Sequence, residues 1–391
     1  MTDRLAAAEA LLANLVGFAS ISGQPNGDIV NYIKTYLESY GVIVHLDSHE
    51  DGQRFNLFAS IGPQIDGGIL LSGHLDVVPA NPAGWSRDPF VLHKQDGRRY
   101  GRGTADMKGF LAIALAMAPA FQEAASQLAK PVHLAFTFDE EVGSFGAAQM
   151  PSLLDRLGVK PAIAVVGEPT GMKPFIGHKG GLELIADIRG TAGHASDPRG
   201  KVNTLYYAAR LISHLEDKAR ALASQTRYDT PFDPPYTTIS VGHIKGGEGR
   251  NVIADHCQFL WEIRPLPEDD PYAILGEIQQ FVTKELLPEM RVIHADAGID
   301  LIVESWCPGM QVRADSPAAN LVARLWTNDM PGVVSFGTDG GQFQAAVNEK
   351  IVFGPGDMAQ MHQPDEFIEV NALADGLGFL DRLLTHMKAP L

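Results

Sequence analysis

The sequence predicts an α/β protein with a mostly parallel central sheet flanked by helices, interrupted by a smaller inserted α+β domain. Three observations carry this. Short apolar runs alternate with helical stretches up to about residue 178. From about residue 180 the strand-like runs alternate apolar with polar side chains instead. Further on, "KIVFGP" restores the first pattern. Strands apolar on both faces belong to parallel sheets covered by helices on both sides, whereas half-wet strands belong to antiparallel sheets with one covered face.

The elements follow in order. "MTDRLAAAEALLANLVGF" places leucines and valine at helical spacing, carries acids early and has no basic leader region, so it reads as an amphipathic helix rather than a signal peptide. "GGILLSG" is a buried strand, "GFLAIALAMAPAF" a helix too short to span a membrane, "PVHLAFTF" a strand, "SFGAAQMPSLLDRL" a helix and "PAIAVVG" a strand. In "GLELIADIRG", Leu182, Leu184, Ala186 and Ile188 point one way and Glu183, Asp187 and Arg189 the other. "CQFLWEIRP" repeats this with Cys257, Phe259, Trp261 and Ile263, and "NTLYYAARLISHLEDKARAL" between them is helical. The expected boundaries are residues 1–178 with 292–391 for the larger domain and 179–291 for the insert.

Bulk properties exclude several classes. The 391 residues are too many for one ordinary core, which agrees with two domains. With 31 basic and 47 acidic side chains the formal net charge is -16, a balance that repels phosphate backbones and argues against nucleic acid as a partner. No run suits a membrane span. Two cysteines, Cys257 and Cys307, lie far apart and form no CxxC pair, so they support neither a thiolate metal site nor a disulfide framework. A cytoplasmic enzyme fits these features.

The chemistry gathers at the strand ends. "ILLSG" runs into His74 and Asp76, "LAFTF" into Asp139, Glu140 and Glu141, "IAVVG" into Glu168, and "IVFGPGDMAQ" leads to His362. Between the first two, the glycine-flanked "GRGTADMKG" holds Asp106 at the head of the apolar helix. Open α/β sheets bind ligands at the carboxyl ends of their strands. Taken singly, each residue has a plain structural explanation: a core histidine, a helix N-cap at Asp106, an exposed acidic corner at Glu140 and Glu141. Together, like charges converging on one sheet edge are costly unless cations neutralise them. Imidazoles and carboxylates without thiolates suit catalytic zinc, cobalt or manganese. The chemistry this implies is metal-assisted hydrolysis, with one of the adjacent glutamates free to take a proton from water.

"SGHLDVVP", "GRGTADMKG", "TFDEEVGS", "GEPT" and "QMHQPDE", in this order, resemble the five metal-site motifs of the dizinc aminoacylase and carboxypeptidase G family of co-catalytic metallohydrolases. Further stretches, including "HKGGLELIADIRGTAGHASDPRGKVN" and "GPGDMAQMHQPDEF", are most similar to the branch that deacetylates N-acetyl-L-ornithine in arginine biosynthesis. The resemblance implies two divalent ions, zinc or alternatively cobalt. His74, Asp106 and Glu168 would hold one; Asp106, Glu141 and His362 would hold the other, with Asp106 shared. Glu140 would be the general base, and Asp76 would orient His74 through its second ring nitrogen. The insert resembles a ferredoxin-like dimerisation lid, implying a homodimer in which His194 of "GTAGHAS" reaches the partner's active site; a surface histidine is the alternative. Asn251 and Arg264 are expected to bind a substrate carboxylate, against a structural ion pair. Asp339 in "SFGTDGGQFQ" is expected to meet a cationic substrate side chain. The implied substrate is a small N-acyl amino acid, with desuccinylation of succinyl-diaminopimelate, deacetylation of acetylcitrulline, dipeptide hydrolysis and an inactive binding scaffold as alternatives.

Overall fold

The runs that read as doubly apolar strands are buried on both faces: neither Ile69–His74 nor Val132–Thr137 has an exposed residue. They lie at the centre of an eight-stranded sheet in a computed structural model that describes residues 2–225, 227, 229–313 and 315–388. The order is Val44–Ser48, Phe55–Ile61, Val132–Thr137, Ile69–His74, Ile163–Val166, Glu349–Val352, Phe175–His178 and Gly332–Val334. The four strands from Val132–Thr137 to Glu349–Val352 run parallel. Phe55–Ile61 and Val44–Ser48 extend the sheet antiparallel. Crossover helices therefore cover the parallel centre, as such sheets require. Thr2–Gly17, Gly109–Glu123 and Val370–Met387 bring Leu12, Leu15, Leu111, Leu115, Leu377 and Leu380 into one core with Leu71 and Leu134 of the strands.

The apolar helix is longer than its sequence run. By length and composition residues 104–123 are enough to cross a membrane, but the segment is almost wholly buried inside the protein, so it is a core helix. Its first turn, Thr104–Lys108, departs from helical geometry at Asp106 (φ -119°, ψ 91°) and Met107.

The chain divides into two compact units: residues 1–177, 312–333 and 338–391, and residues 178–311 with 334–337. In the second, a four-stranded antiparallel sheet has the order Thr238–Gly246, His256–Arg264, Gly181–Arg189 and Gly298–Cys307. Period-2 patterning is realised: Leu182, Leu184, Ala186, Ile188, Phe259 and Ile263 are fully buried, packed with Leu211 of helix Thr204–Ala223 and Ile278 of helix Pro271–Phe281. This unit extends past the expected boundary at residue 291. Gly298–Cys307 pairs with Gly181–Arg189, and its register shifts between Val303 and Ser305, which breaks the alternation that would have marked it as a strand of this sheet. Both cysteines are buried and neither is in a disulfide.

Candidate metal centre

Strand register assembles the site. His74 ends its strand directly opposite Thr137, so the corner Phe138–Asp139–Glu140–Glu141 begins beside it. Ser72 is paired with Val166, and Gly167 donates its N–H to the Ser72 carbonyl (2.9 Å). Two residues on, His74 ends its strand and Glu168 lies just past the end of the neighbouring one, with His74 Nε2 4.0 Å from Glu168 Oε1. Gly167 has no room for a side chain here, because a Cβ would fall 2.0 Å from the Phe110 ring. His362 follows the next parallel strand, Glu349–Val352, and takes φ 62°, a left-handed conformation that for a non-glycine residue costs on the order of 1 kcal/mol or more. Asp106 arrives from the head of the apolar helix.

These residues form two trios with ligand atoms within 4.8 Å of one another: His74, Asp106 and Glu168, all buried, and Asp106, Glu141 and His362. Asp106 is common to both. His74 Nε2 lies 3.0 Å from Asp106 Oδ1, and His362 Nε2 lies 2.8 Å from Glu141 Oε2 and 3.5 Å from Asp106 Oδ2. Asp106 Oδ2, Glu141 Oε1 and Glu168 Oε1 are buried without a hydrogen-bond partner. Buried carboxylate oxygens are ordinarily satisfied, so an unpartnered oxygen on each of the three carboxylates of these trios fits divalent cations. The donor set, imidazole nitrogen and carboxylate oxygen without thiolate, suits hydrolytic metals.

The electrostatics agree. Burial pushes Glu168 well above the usual carboxylate range, and Asp106 adds to it. Burial, and next Glu168, do the same to Glu140. Burial and then Asp106 carry Glu141 up to about 7. Burial opposes a charge on His74, but its hydrogen bond to Asp106 and the nearby carboxylates outweigh that and raise it well above its ordinary value. Burial would also raise Asp106; the bond from His74 and the charges of His74 and His362 overcome it and hold Asp106 low. Carboxylates crowded this closely must take up positive charge, as protons or as cations.

Asp76 is placed differently from expectation. The Asp76 backbone carbonyl, not its carboxylate, lies 2.9 Å from His74 Nδ1; the carboxylate is 3.7 Å away. The carboxylate instead accepts the N–H groups of Glu140 (3.1 Å) and Glu141 (3.3 Å) and the Ser22 hydroxyl (2.7 Å). It thus holds the corner that presents both glutamates. Asp339 is buried, 1% exposed, and accepts a 2.5 Å hydrogen bond from Thr137; burial leads the causes that push it up to about 6. It is an interior carboxylate rather than an open one awaiting a substrate ammonium.

In the second unit, Gly193–His194 pairs with Val252–Ile253, and Ala195 donates its N–H to the Asn251 carbonyl (3.0 Å), so His194 and Asn251 are neighbours on an exposed edge. Arg264 is engaged on its own strand. Residues two apart on a strand share a face, and its Nε and Nη2 donate to Glu262 (3.0 and 2.7 Å).

Three supporting residues were given no role by the sequence reading, although Asp139 was noted at its strand end. Asp139, at φ 53°, accepts the Gly23 N–H (2.7 Å) and pairs with Arg54, bracing the corner from outside. Lys108, fully buried, donates to the Phe18 carbonyl (2.8 Å), and burial lowers it to about 7. Glu366 is 0% exposed and receives donors from the turn around Asp106. All pair with residues far away in the chain, so no local spacing announces them.

Residues 70–386 match the model of peptidase family M20/M25/M40. The acetylornithine deacetylase of Yersinia pestis is 34% identical over 369 residues, covering 93% of this chain and 91% of that one. That of Myxococcus xanthus is 33% identical over 398 residues, covering 99% of each. Among solved structures, an M20 metallo-carboxypeptidase of Sulfolobus solfataricus superposes with a TM-score of 0.79 at 18% identity, covering 97% of this chain and 99% of that one. A dinuclear metal-binding M20 peptidase of Bacillus subtilis gives 0.67 at 15% identity, covering 99% of each. The match over most of the chain, joined to a strand-end cluster built to hold cations, shows that the chain belongs to peptidase family M20/M25/M40 and is a metal-dependent hydrolase.

Proposed function

We propose that this hydrolase removes the acetyl group of N-acetyl-L-ornithine, releasing L-ornithine and acetate for arginine biosynthesis in the cytoplasm. One observation carries the hydrolytic part: two ligand trios share Asp106, and Glu140 stands beside them on the same corner without being a member of either. The acetylornithine deacetylases matched over nearly the whole chain support the substrate.

In this reading His74, Asp106 and Glu168 hold one ion, and Asp106, Glu141 and His362 the other, zinc in preference to cobalt. Two such ions, when bound, polarise the scissile carbonyl and acidify the attacking water. Glu140 takes the proton of that water and passes it to the departing nitrogen. As a member of neither trio, Glu140 keeps its carboxylate free to hold a proton between those two events. Asp76 keeps Glu140 and Glu141 in register through their N–H groups. His194 acts on the partner subunit's site of a homodimer formed through the second unit, donating to the oxyanion, with Asn251 beside it to meet the substrate carboxylate.

The test is a hydrolysis panel on zinc-loaded protein with and without chelator: N-acetyl-L-ornithine, N-acetyl-L-citrulline, N-succinyl-diaminopimelate, N-acetyl-L-methionine and a dipeptide. Chelator-sensitive preference for acetylornithine is expected. Preference for another compound would keep the hydrolase and discard the substrate; turnover of none would favour a binding scaffold.

A further inference from the structure

We infer that Glu366 is a positioning residue of the metal centre, its buried carboxylate fastening the Asp106 turn to the segment that carries His362. The inference rests on the reading of the two trios as ion sites.

The placement follows from strand register. Phe367–Glu369 pairs antiparallel with Arg98–Tyr100, with Phe367 opposite Tyr100. Glu366 therefore meets the chain where it leaves that strand, and Gly101 donates its N–H to the Glu366 carbonyl (2.9 Å). The side chain then collects four donors. Oε2 accepts from Arg102 Nη1 (2.8 Å) and the Gly103 N–H (2.9 Å). Oε1 accepts from the N–H groups of Ala105 (2.8 Å) and Asp106 (3.1 Å). Arg102 Nη1 also reaches the carbonyl of Gln363 (3.3 Å), the residue after His362, and the guanidinium stacks 5.1 Å from the Trp85 ring. One carboxylate thus bears on two ligand segments, directly at Asp106 and through Arg102 at His362.

The turn needs such an anchor. Gly103 has φ 81°, and Asp106 is not helical although a helix starts three residues later. Buried peptide N–H groups in an irregular turn ahead of the helix must find acceptors outside its hydrogen-bond ladder. Converging on Glu366, they form a concave donor set that an ionised carboxylate satisfies and a neutral amide cannot. In Glu366→Gln one end still accepts from Ala105 and Asp106, but the other sets an NH2 against Gly103 N–H and Arg102.

The experiment titrates metal-free wild type and Glu366→Gln with Co2+, following heat and visible absorption, beside circular dichroism for the fold. The expected variant is folded and binds its ions about ten- to a hundredfold more weakly, as loss of a group that orients ligands does. Its Co2+ absorption changes, and the weaker-binding ion is lost first. A purely structural role would alter unfolding while leaving the Co2+ spectrum and both affinities at wild-type values, and that result overturns the inference. Should Glu366→Gln not fold, Arg102→Lys keeps Glu366 and its three peptide donors while cutting the tie to Gln363. It is then expected to weaken one ion and spare the other; two unaltered ions overturn the inference. Wild type that takes up fewer than two ions sinks the metal-centre reading itself, whereas two ions in wild type with an indifferent variant sinks only the role of Glu366.

Discussion

Glu140 can be tested without disturbing its surroundings. Its backbone, not its side chain, makes the contacts that shape the corner: its N–H donates to Asp76, and its carbonyl accepts from Gly143 (3.1 Å) and Ser144 (3.0 Å). Glu140→Ala should therefore keep the fold and the two-ion content while kcat falls by about 10³-fold, within the range for loss of a general acid–base group. Metal analysis beside steady-state kinetics checks this; a variant that loses its ions as well would make Glu140 a ligand and move the proton-transfer role elsewhere. The same corner shows what residue types reveal in a sequence. His74, Asp106, Glu141, Glu168 and His362 were legible as a group because each follows a buried strand or precedes the apolar helix, and ionisable groups gathered at one sheet edge are conspicuous. Asp76 was expected to hold His74 with its carboxylate, and its place as the acceptor of two N–H groups was not legible, since backbone donors leave no mark on a residue string. Arg54, which pairs with Asp139 across 85 positions, was not legible at all.

Among the elements, strand Val132–Thr137 carries a second titration remote from the site. His133 is 2% exposed and stacked on Phe58 with ring centroids 5.7 Å apart. Burial lowers it from 6.5 to about 4, against the opposing pull of the Gly67 carbonyl. The unfolded chain binds this proton below about pH 6.5 and the folded one only near pH 4, so stability falls as pH drops through that window. The shift corresponds to about 3 kcal/mol in full, of which about 2 kcal/mol separates pH 7 from pH 5. Urea unfolding at the two pH values should show His133→Phe losing about 2 kcal/mol less than wild type on acidification; equal losses would mean that His133 is charged in the native state. Strands of this kind are the easiest elements to read, because burial on both faces makes them uniformly apolar. Gly298–Cys307 was missed for the converse reason: its central residues, Asp300 to Glu304, are half-buried or exposed, and a register shift breaks its alternation.

At the scale of the whole molecule the sequence reading separated an α/β unit from an insert, because a sheet covered on both faces and one covered on a single face need different patterns. It set the far edge of the insert too early, since a strand that returns to complete a sheet leaves no trace of its destination. The proposed role of the insert has a consequence that separates action within one chain from action across two. If His194 serves the partner's site, His194→Ala and Glu140→Ala homodimers each lack one essential group at both sites. In a mixed dimer, the Glu140→Ala subunit lends its intact His194 to the site where Glu140 survives, so one of two sites is whole. Random pairing of equal amounts makes half the dimers mixed, and co-expression should restore about a quarter of wild-type activity. Activity should track the mixed species isolated by two different affinity tags. A mixed preparation as inactive as its parents would place the action of His194 within its own chain, or remove it from the reaction, while leaving the ligand trios and Glu140 untouched.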